Sequence, residues 1–260
     1  MGESDGSLRQ YRLQAVDAGR VSALFRHAPA SLVVTFIVAA ITVAVLSAAL
    51  PLRSLATWFA AVILILAVRL ALVLRYRRQA GGIEPRTWEN WYTLGAAAQG
   101  APWSVLPFVF APSAFEYDVF IAFVIGGMAL GAVGMLGASR RAFLVFATPM
   151  LLAQAGAFLW QGGTLHTAMG ALSLVLLAAL ARIHRDLNGA LVQNIQRGAD
   201  NERLLAEQRG LLDAATVGIA FVKDDRVVDC NPEFERILGR TRTELMEQSS
   251  LTWFPDEAAW

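Results

Sequence analysis

The sequence predicts a mostly α-helical membrane protein: a six-helix transmembrane bundle, a polar helix leaving it, and a small α+β segment near the C-terminal end. Three observations predict this. Hydrophobic residues make up 56% of the 260, against about 45–50% in soluble domains. The excess is concentrated between Ser31 and Arg182. Beyond Arg182 the composition turns polar, and near Val217 the apolar spacing changes from helical to alternating.

A helix crosses about 30 Å of hydrocarbon with about 20 mostly apolar residues. Six segments qualify by eye: 31–50, 55–74, 91–111, 119–138, 142–160 and 165–181. The third contains Pro102 and Pro107 and the fifth Pro149, which break or kink helices. Arginine placement sets the orientation. The second–third connection carries Arg75, Arg77, Arg78 and Arg86; the fourth–fifth carries Arg140 and Arg141; Arg182 and Arg185 follow the sixth. The first–second connection has only Arg53, the third–fourth has Glu116 and Asp118 without a base, and the fifth–sixth has no formal charge. Bases therefore alternate loop by loop, and both chain ends are expected in the cytoplasm of an inner-membrane protein. Trp58 and Trp160 fall near the outer face, and Trp88 and Trp91 near the inner one.

Composition excludes several classes. A net charge of +1 leaves no bulk affinity for nucleic acid. Cys230 is the single cysteine, so no intrachain disulfide or CxxC metal site exists. The acidic N-terminus lacks the basic start of a cleavable signal peptide. His27, His166 and His184 are the only histidines, and neither a metal site nor a cofactor is expected. The run His184-Arg185-Asp186-Leu187 imitates a protein-kinase catalytic loop, but position 191 is leucine where that loop needs a metal-holding asparagine.

Few residues carry candidate chemistry. Arg69 lies inside the second span, and an intramembrane charge is a candidate site. Its nearness to the inner end favours snorkelling to the headgroups instead. Gln99 and Gln154 are polar residues within spans; each either lines a ligand pocket or bonds helix to helix, and the latter is favoured. Trp103, between Pro102 and Pro107, is a candidate wall of a small apolar pocket. The fourth span reads GGMALGAVGMLGA, where Gly127, Gly131 and Gly134 let helices approach closely. That approach serves either packing within one bundle or a dimer seam.

The polar stretch 182–210 keeps helical apolar spacing through Leu187, Leu191 and Ile195, weakened by Gly189, Gly198 and Gly210. It predicts a helix leaving the membrane, with pairing to a second copy favoured over simple solvation. Then Val217, Ile219 and Phe221 alternate as in a strand. Lys223-Asp224-Asp225 marks a turn and 226–230 a second strand. Asn231 caps a helix with Pro232 at its first position, and Gly239 ends it. Thr241 and Glu244 form a capping-box pattern before another short helix.

Strand, turn, strand, helix and short helix, with VGIAFV, CNPEFERILG, TRTEL, Gln248-Ser249 and Phe254-Pro255, resemble the opening of a PAS domain over 211–260. A complete domain of that family would add a helix and three strands, so the resemblance implies a chain continuing past this segment. The spans, the RYRR loop and the Gly-rich fourth span are similar to membrane sensory regions that precede PAS modules in bacterial signalling proteins. The resemblance implies an output of the GGDEF or GGDEF–EAL type, acting on cyclic-di-GMP, ahead of a sensor histidine kinase. Four parts follow: a cytoplasmic segment 1–30, a sensory domain 31–181, a signalling helix 182–210 and a partial PAS domain 211–260. Membrane lipids, a small-molecule ligand and a second copy of the chain are the expected partners. A six-span transporter with a regulatory tail is the alternative of another class, against which stand the near absence of deep ionisable residues and of an inverted repeat.

Overall fold

The computed structural model describes residues 2–79, 82–109, 114–224 and 226–246, with side chains from residue 16 onward. Phe110 and Ala111 of the third expected span, Asp225 of the turn, and Gln248, Ser249, Phe254 and Pro255 lie outside the described residues. The order is α1 (Gly2–Leu46), α2 (Leu52–Gln79), α3 (Pro85–Val109), α4 (Phe115–Met135), α5 (Arg140–Gln161), α6 (Thr164–Asp213), β1 (Ala220–Lys223), β2 (Arg226–Cys230), α7 (Pro232–Leu238) and α8 (Arg242–Leu245). The chain divides into two compact units, Met1–Gln196 and Arg197–Trp260.

Among the described residues, five helices are long and apolar enough to cross a membrane: α1 (its Val16–Leu46 part), α2, α4, α5 and α6. The third expected span forms α3 but is not among the five. Its position accounts for the difference. α3 packs against α1, α2, α4 and α5, most extensively against α5. It buries Trp88, Tyr92, Ala96, Gln99, Gly100 and Trp103. A helix packed on several others needs less apolar surface than one facing lipid on most sides, so α3 carries a less apolar stretch than the five.

Prolines do not break these helices. α1 runs through Pro29, α3 through Pro102 and Pro107, and α5 through Pro149. In an apolar medium a helix is held together by its remaining backbone bonds. Trp58 Nε1 donates to the Pro102 carbonyl at 2.9 Å, and Ser104 Oγ to that of Gly100 at 3.0 Å. The segment before the first expected span is helical too and continuous with it. Val21, Leu24, Phe25 and Ala28 are buried there. Phe25 stacks on Tyr76 at 3.9 Å and meets Trp88 and Tyr92 edge-on.

Helix contacts are closest where a glycine permits them. A Cβ on Gly100 of α3 would stand 2.9 Å from the Phe146 carbonyl oxygen of α5. One on Gly170 of α6 would stand 3.2 Å from the Ala155 carbonyl oxygen of α5. Gly127, Gly131 and Gly134 of α4 meet nothing within 4 Å. Close approach within this unit is thus at Gly100 and Gly170. α6 buries only a stripe, Gly170, Ser173, Leu180 and His184, and leaves Leu172, Val175 and Ile183 exposed, as a rim helix in lipid would. It stays helical through Gly189, Gly198 and Gly210.

In the second unit the local expectations hold nearly residue by residue. β1 and β2 pair antiparallel, with a register shift between Phe221 and Val222 and with Asp224 left-handed at φ 51°. β1 starts at Ala220, later than the alternation suggested. Asn231 caps α7, Pro232 opens it, and Gly239 closes it at φ 64°. The Thr241–Glu244 capping box is formed.

Candidate functional site

A cavity of about 260 Å³ opens between α1 and α4. α1 supplies Ser31, Thr35, Val38 and Ile41, spaced three or four apart and hence on one face. α4 supplies Phe120, Phe123, Val124, Gly127, Met128 and Gly131. Behind them, Arg69 of α2, Gln99 of α3 and Phe146 of α5 complete the wall. Gly127 and Gly131 leave open the space that larger residues would fill.

The polar end of the cavity is one directed chain. Arg69 Nη1 donates to Gln99 Oε1. Gln99 Nε2 donates to Thr35 Oγ1 at 2.6 Å, and Thr35 Oγ1 donates to the Ser31 carbonyl at 2.9 Å. Arg69 also lies over the Tyr92 ring, 5.0 Å from its centroid. Its Nη2 is buried with no well-formed hydrogen bond among the described residues, and the Tyr92 hydroxyl lies near the guanidinium. Arg69 is the one charged residue among those lining the cavity.

The snorkelling expected of Arg69 is corrected here: the side chain is 4% exposed and points inward. Gly95 explains how it turns in, since a Cβ there would lie 3.3 Å from Arg69 Cγ. A neighbouring helix without a side chain leaves a slot for the stem, which sequence spacing on α2 alone could not reveal. Gln99 does sit in the cavity wall. Trp103 does not line it; it is fully buried and packs edge-on against Trp58 at 5.1 Å. Gln154 lies elsewhere, donating from Nε2 to Ser173 Oγ at 3.2 Å and joining α5 to α6.

Beneath the cavity lies a turn that sequence reading passed over. α4 ends at Met135 and α5 starts at Arg140, leaving carbonyls that no helix satisfies. His184 Nε2 donates to the Leu136 carbonyl at 3.1 Å. Asn188 Nδ2 donates to that of Gly137 at 2.8 Å, and Arg20 Nε to that of Ala138 at 2.9 Å. Ser139 Oγ donates to Glu89 Oε1 at 2.7 Å, and Arg20 Nη2 pairs with the same oxygen at 3.2 Å. The His184 ring stacks on Phe143, 4.3 Å between centroids. Two α6 side chains thus grip the turn, and Leu136 also lines the cavity. His184, weighed above as a kinase-like residue and as a metal ligand, is wholly buried and holds this turn. The available signal was the shortness of the turn between two apolar helices.

His166 Nε2 stands 3.5 Å from Asp118 Oδ2, where α4 and α6 begin. Among the described residues no group of three or more His, Cys, Asp and Glu side chains could hold a metal.

In the second unit Asn231 does more than cap a helix. Its Oδ1 accepts from Phe234 N at 3.0 Å and from Ile219 N at 2.8 Å. Its Nδ2 donates to the carbonyls of Leu212 at 2.9 Å and Val217 at 3.0 Å. One buried side chain therefore ties the last turn of α6 to the hairpin and to α7.

Residues 206–259 match a family model described as PAS domain. None of the curated proteins and no solved structure matches the chain. A PAS segment beside several membrane-length helices gives the chain a sensory, membrane-associated character.

Proposed function

We propose that this chain is the membrane-embedded sensory input region of a bacterial inner-membrane receptor. It has six spans, α3 counted among them, and cytoplasmic termini. A ligand or membrane signal biases the bundle, α6 carries the change, and the PAS segment hands it to an output. The output is synthesis or breakdown of cyclic-di-GMP; a histidine kinase is the second reading. The receptor acts as a homodimer. The parts are the N-terminal segment 1–30, the sensory domain 31–181, the signalling helix 182–210 and the PAS segment 211–260.

One observation carries the reading. The cavity wall at Leu136 belongs to the turn that His184 and Asn188 hold, and both side chains stand on α6, the helix whose last turns enter the PAS match at 206. A ligand acts as a signal only where its affinity differs between two states. A turn shared by the cavity and α6 supplies a physical element for such a difference. The cyclic-di-GMP output rests on the resemblance alone.

The test uses the chromosomal gene with an N-terminal epitope tag. Membranes are immunoblotted and cyclic-di-GMP is quantified in wild-type, deletion and His184→Phe/Asn188→Leu strains. A membrane band well above the mass of these 260 residues is expected, with cyclic-di-GMP altered on deletion and unresponsive in the double variant. Unchanged cyclic-di-GMP with autophosphorylation from labelled ATP would select the kinase. A soluble product would end the membrane reading.

A further inference from the structure

We infer that the cavity between α1 and α4 binds a single-chain amphiphile with an anionic headgroup, a carboxylate above all, whose head pairs with Arg69. This deepens the sensory reading above; its meaning for signalling rests on that reading, while its chemistry does not.

Charge is the first argument. A guanidinium keeps its proton in proteins. Buried among apolar helices, it needs an anion or a full set of acceptors. Gln99 supplies one acceptor, at Nη1. The Tyr92 hydroxyl is the other polar group near the guanidinium, and among the described residues no acidic side chain lines the cavity. A carboxylate takes two parallel N–H bonds from an arginine and brings the neutralising charge, neither of which one amide oxygen supplies. Gln99 cannot turn to serve instead, because Thr35 holds its amide nitrogen and fixes its oxygen toward Arg69.

Shape is the second argument. The polar groups Ser31, Thr35, Arg69 and Gln99 gather at one end of the cavity. Toward Ile41 the α1 wall is apolar, and six residues from Thr35 to Ile41 rise about 9 Å. α4 faces this stretch with Phe120, Phe123 and Val124. The site therefore has a charged head end and an apolar channel. At about 260 Å³ it suits one slender chain. A two-tailed lipid would leave most of its bulk outside.

Access is the third. Val34, Ile41 and Phe123 on the rim are 46%, 51% and 80% exposed. Exposed aliphatic and aromatic side chains at the middle of membrane-length helices face acyl chains, so the opening is lateral. An amphiphile enters from the bilayer tail-parallel to the helices, and its head meets Arg69 within the bundle.

The test is calorimetric titration of the whole chain in phosphatidylcholine nanodiscs with decanoate, decanol and decyltrimethylammonium. Decanoate is expected to bind one per chain. The alcohol and the cation should bind at least about tenfold more weakly, the loss of one charge-assisted pair. Arg69→Lys, which keeps the charge and loses the fork, should weaken decanoate about tenfold. Gly127→Leu fills the cavity where no atom lies within 4 Å of the new Cβ, so it should abolish binding with an unchanged circular-dichroism melt. That variant decides the matter if Arg69→Lys does not fold. Nanodiscs with phosphatidylglycerol form the second arm. Arg69-dependent loss of decanoate binding there assigns the anionic head to a bilayer lipid; unchanged binding assigns it to a free acid. Decanol binding as well as decanoate, no decanoate binding, or wild-type affinity in Gly127→Leu overturns the proposal. Binding that passes these controls while cyclic-di-GMP and phosphorylation stay inert would instead overturn the sensory reading and leave the site.

Discussion

Replacing Gln99 by leucine should cost more stability than removing the charge it serves. The side chain accepts from Arg69 and donates to Thr35. A hydrogen bond to a charged group contributes about 1.5–3 kcal/mol and a neutral one about 1 kcal/mol, so Gln99→Leu should destabilise the bundle by about 3 kcal/mol. Arg69→Met loses the same charged bond and strands Gln99 Oε1, which costs about 1–3 kcal/mol more. It also removes a charge whose presence amid apolar helices costs about 2.5–3.5 kcal/mol. The net is about 1 kcal/mol of destabilisation. In the double variant both unpaired groups are gone, Thr35 still donates to Ser31, and stability should return to within about 1 kcal/mol of wild type. The interaction term of the cycle is then about 3 kcal/mol in the stabilising direction. Unfolding in mixed micelles of increasing dodecyl sulfate, followed by the fluorescence of the seven tryptophans, reads all four proteins. A double variant as unstable as the sum of the singles would refute the claim that Arg69 and Gln99 form one buried unit.

Three further outcomes follow from the packing. Gly100→Leu should destabilise by about 1–3 kcal/mol or more, since its Cβ would strike the Phe146 backbone; Gly127→Leu, which meets open space, should melt like wild type by circular dichroism. Asn231→Ala removes the α7 cap and three other bonds, so it should loosen the segment by about 2 kcal/mol or more. Cys230 reports this directly: burial and nearby Glu235 push its thiol up, so native alkylation is slow, and it should quicken at least tenfold in Asn231→Ala. Backbone and hydroxyl bonds from Thr241 hold the Glu244 carboxyl below the usual range. A carboxyl depressed in the folded state contributes above its unfolded pKa and is lost as pH falls through its folded one. Protection of the Thr241 amide, its exchange rate divided into the intrinsic rate at the same pH, should therefore fall only in acid, and a protection profile flat across the carboxylate range would contradict the capping box.

Much of the second unit could be read directly from the residues. Asn231, Pro232, Gly239, Thr241 and Glu244 act through backbone groups within three or four positions, so their spacing is their geometry. The same holds for the apolar helices, whose length alone suits a bilayer. The candidate site was legible only in part. Arg69 and Gln99 were recognisable as misplaced polar residues, but they are 30 positions apart, and nothing local says that they touch. Trp103 carried no sign that Trp58 would claim it.

By itself the sequence determined where the long apolar helices run, where each helix of the PAS segment is capped, and that several helices are long and apolar enough to cross a membrane. Those properties depend on neighbours along the chain and on transfer from water. Tertiary structure decided that α3 packs on α1, α2, α4 and α5, that Arg69 turns inward beside Gly95, and that His184 and Asn188 hold the turn below the cavity. The physical reason is that an amphipathic stripe specifies a buried face but not the helix that will cover it. A buried charge takes its meaning from the groups that the covering helix brings.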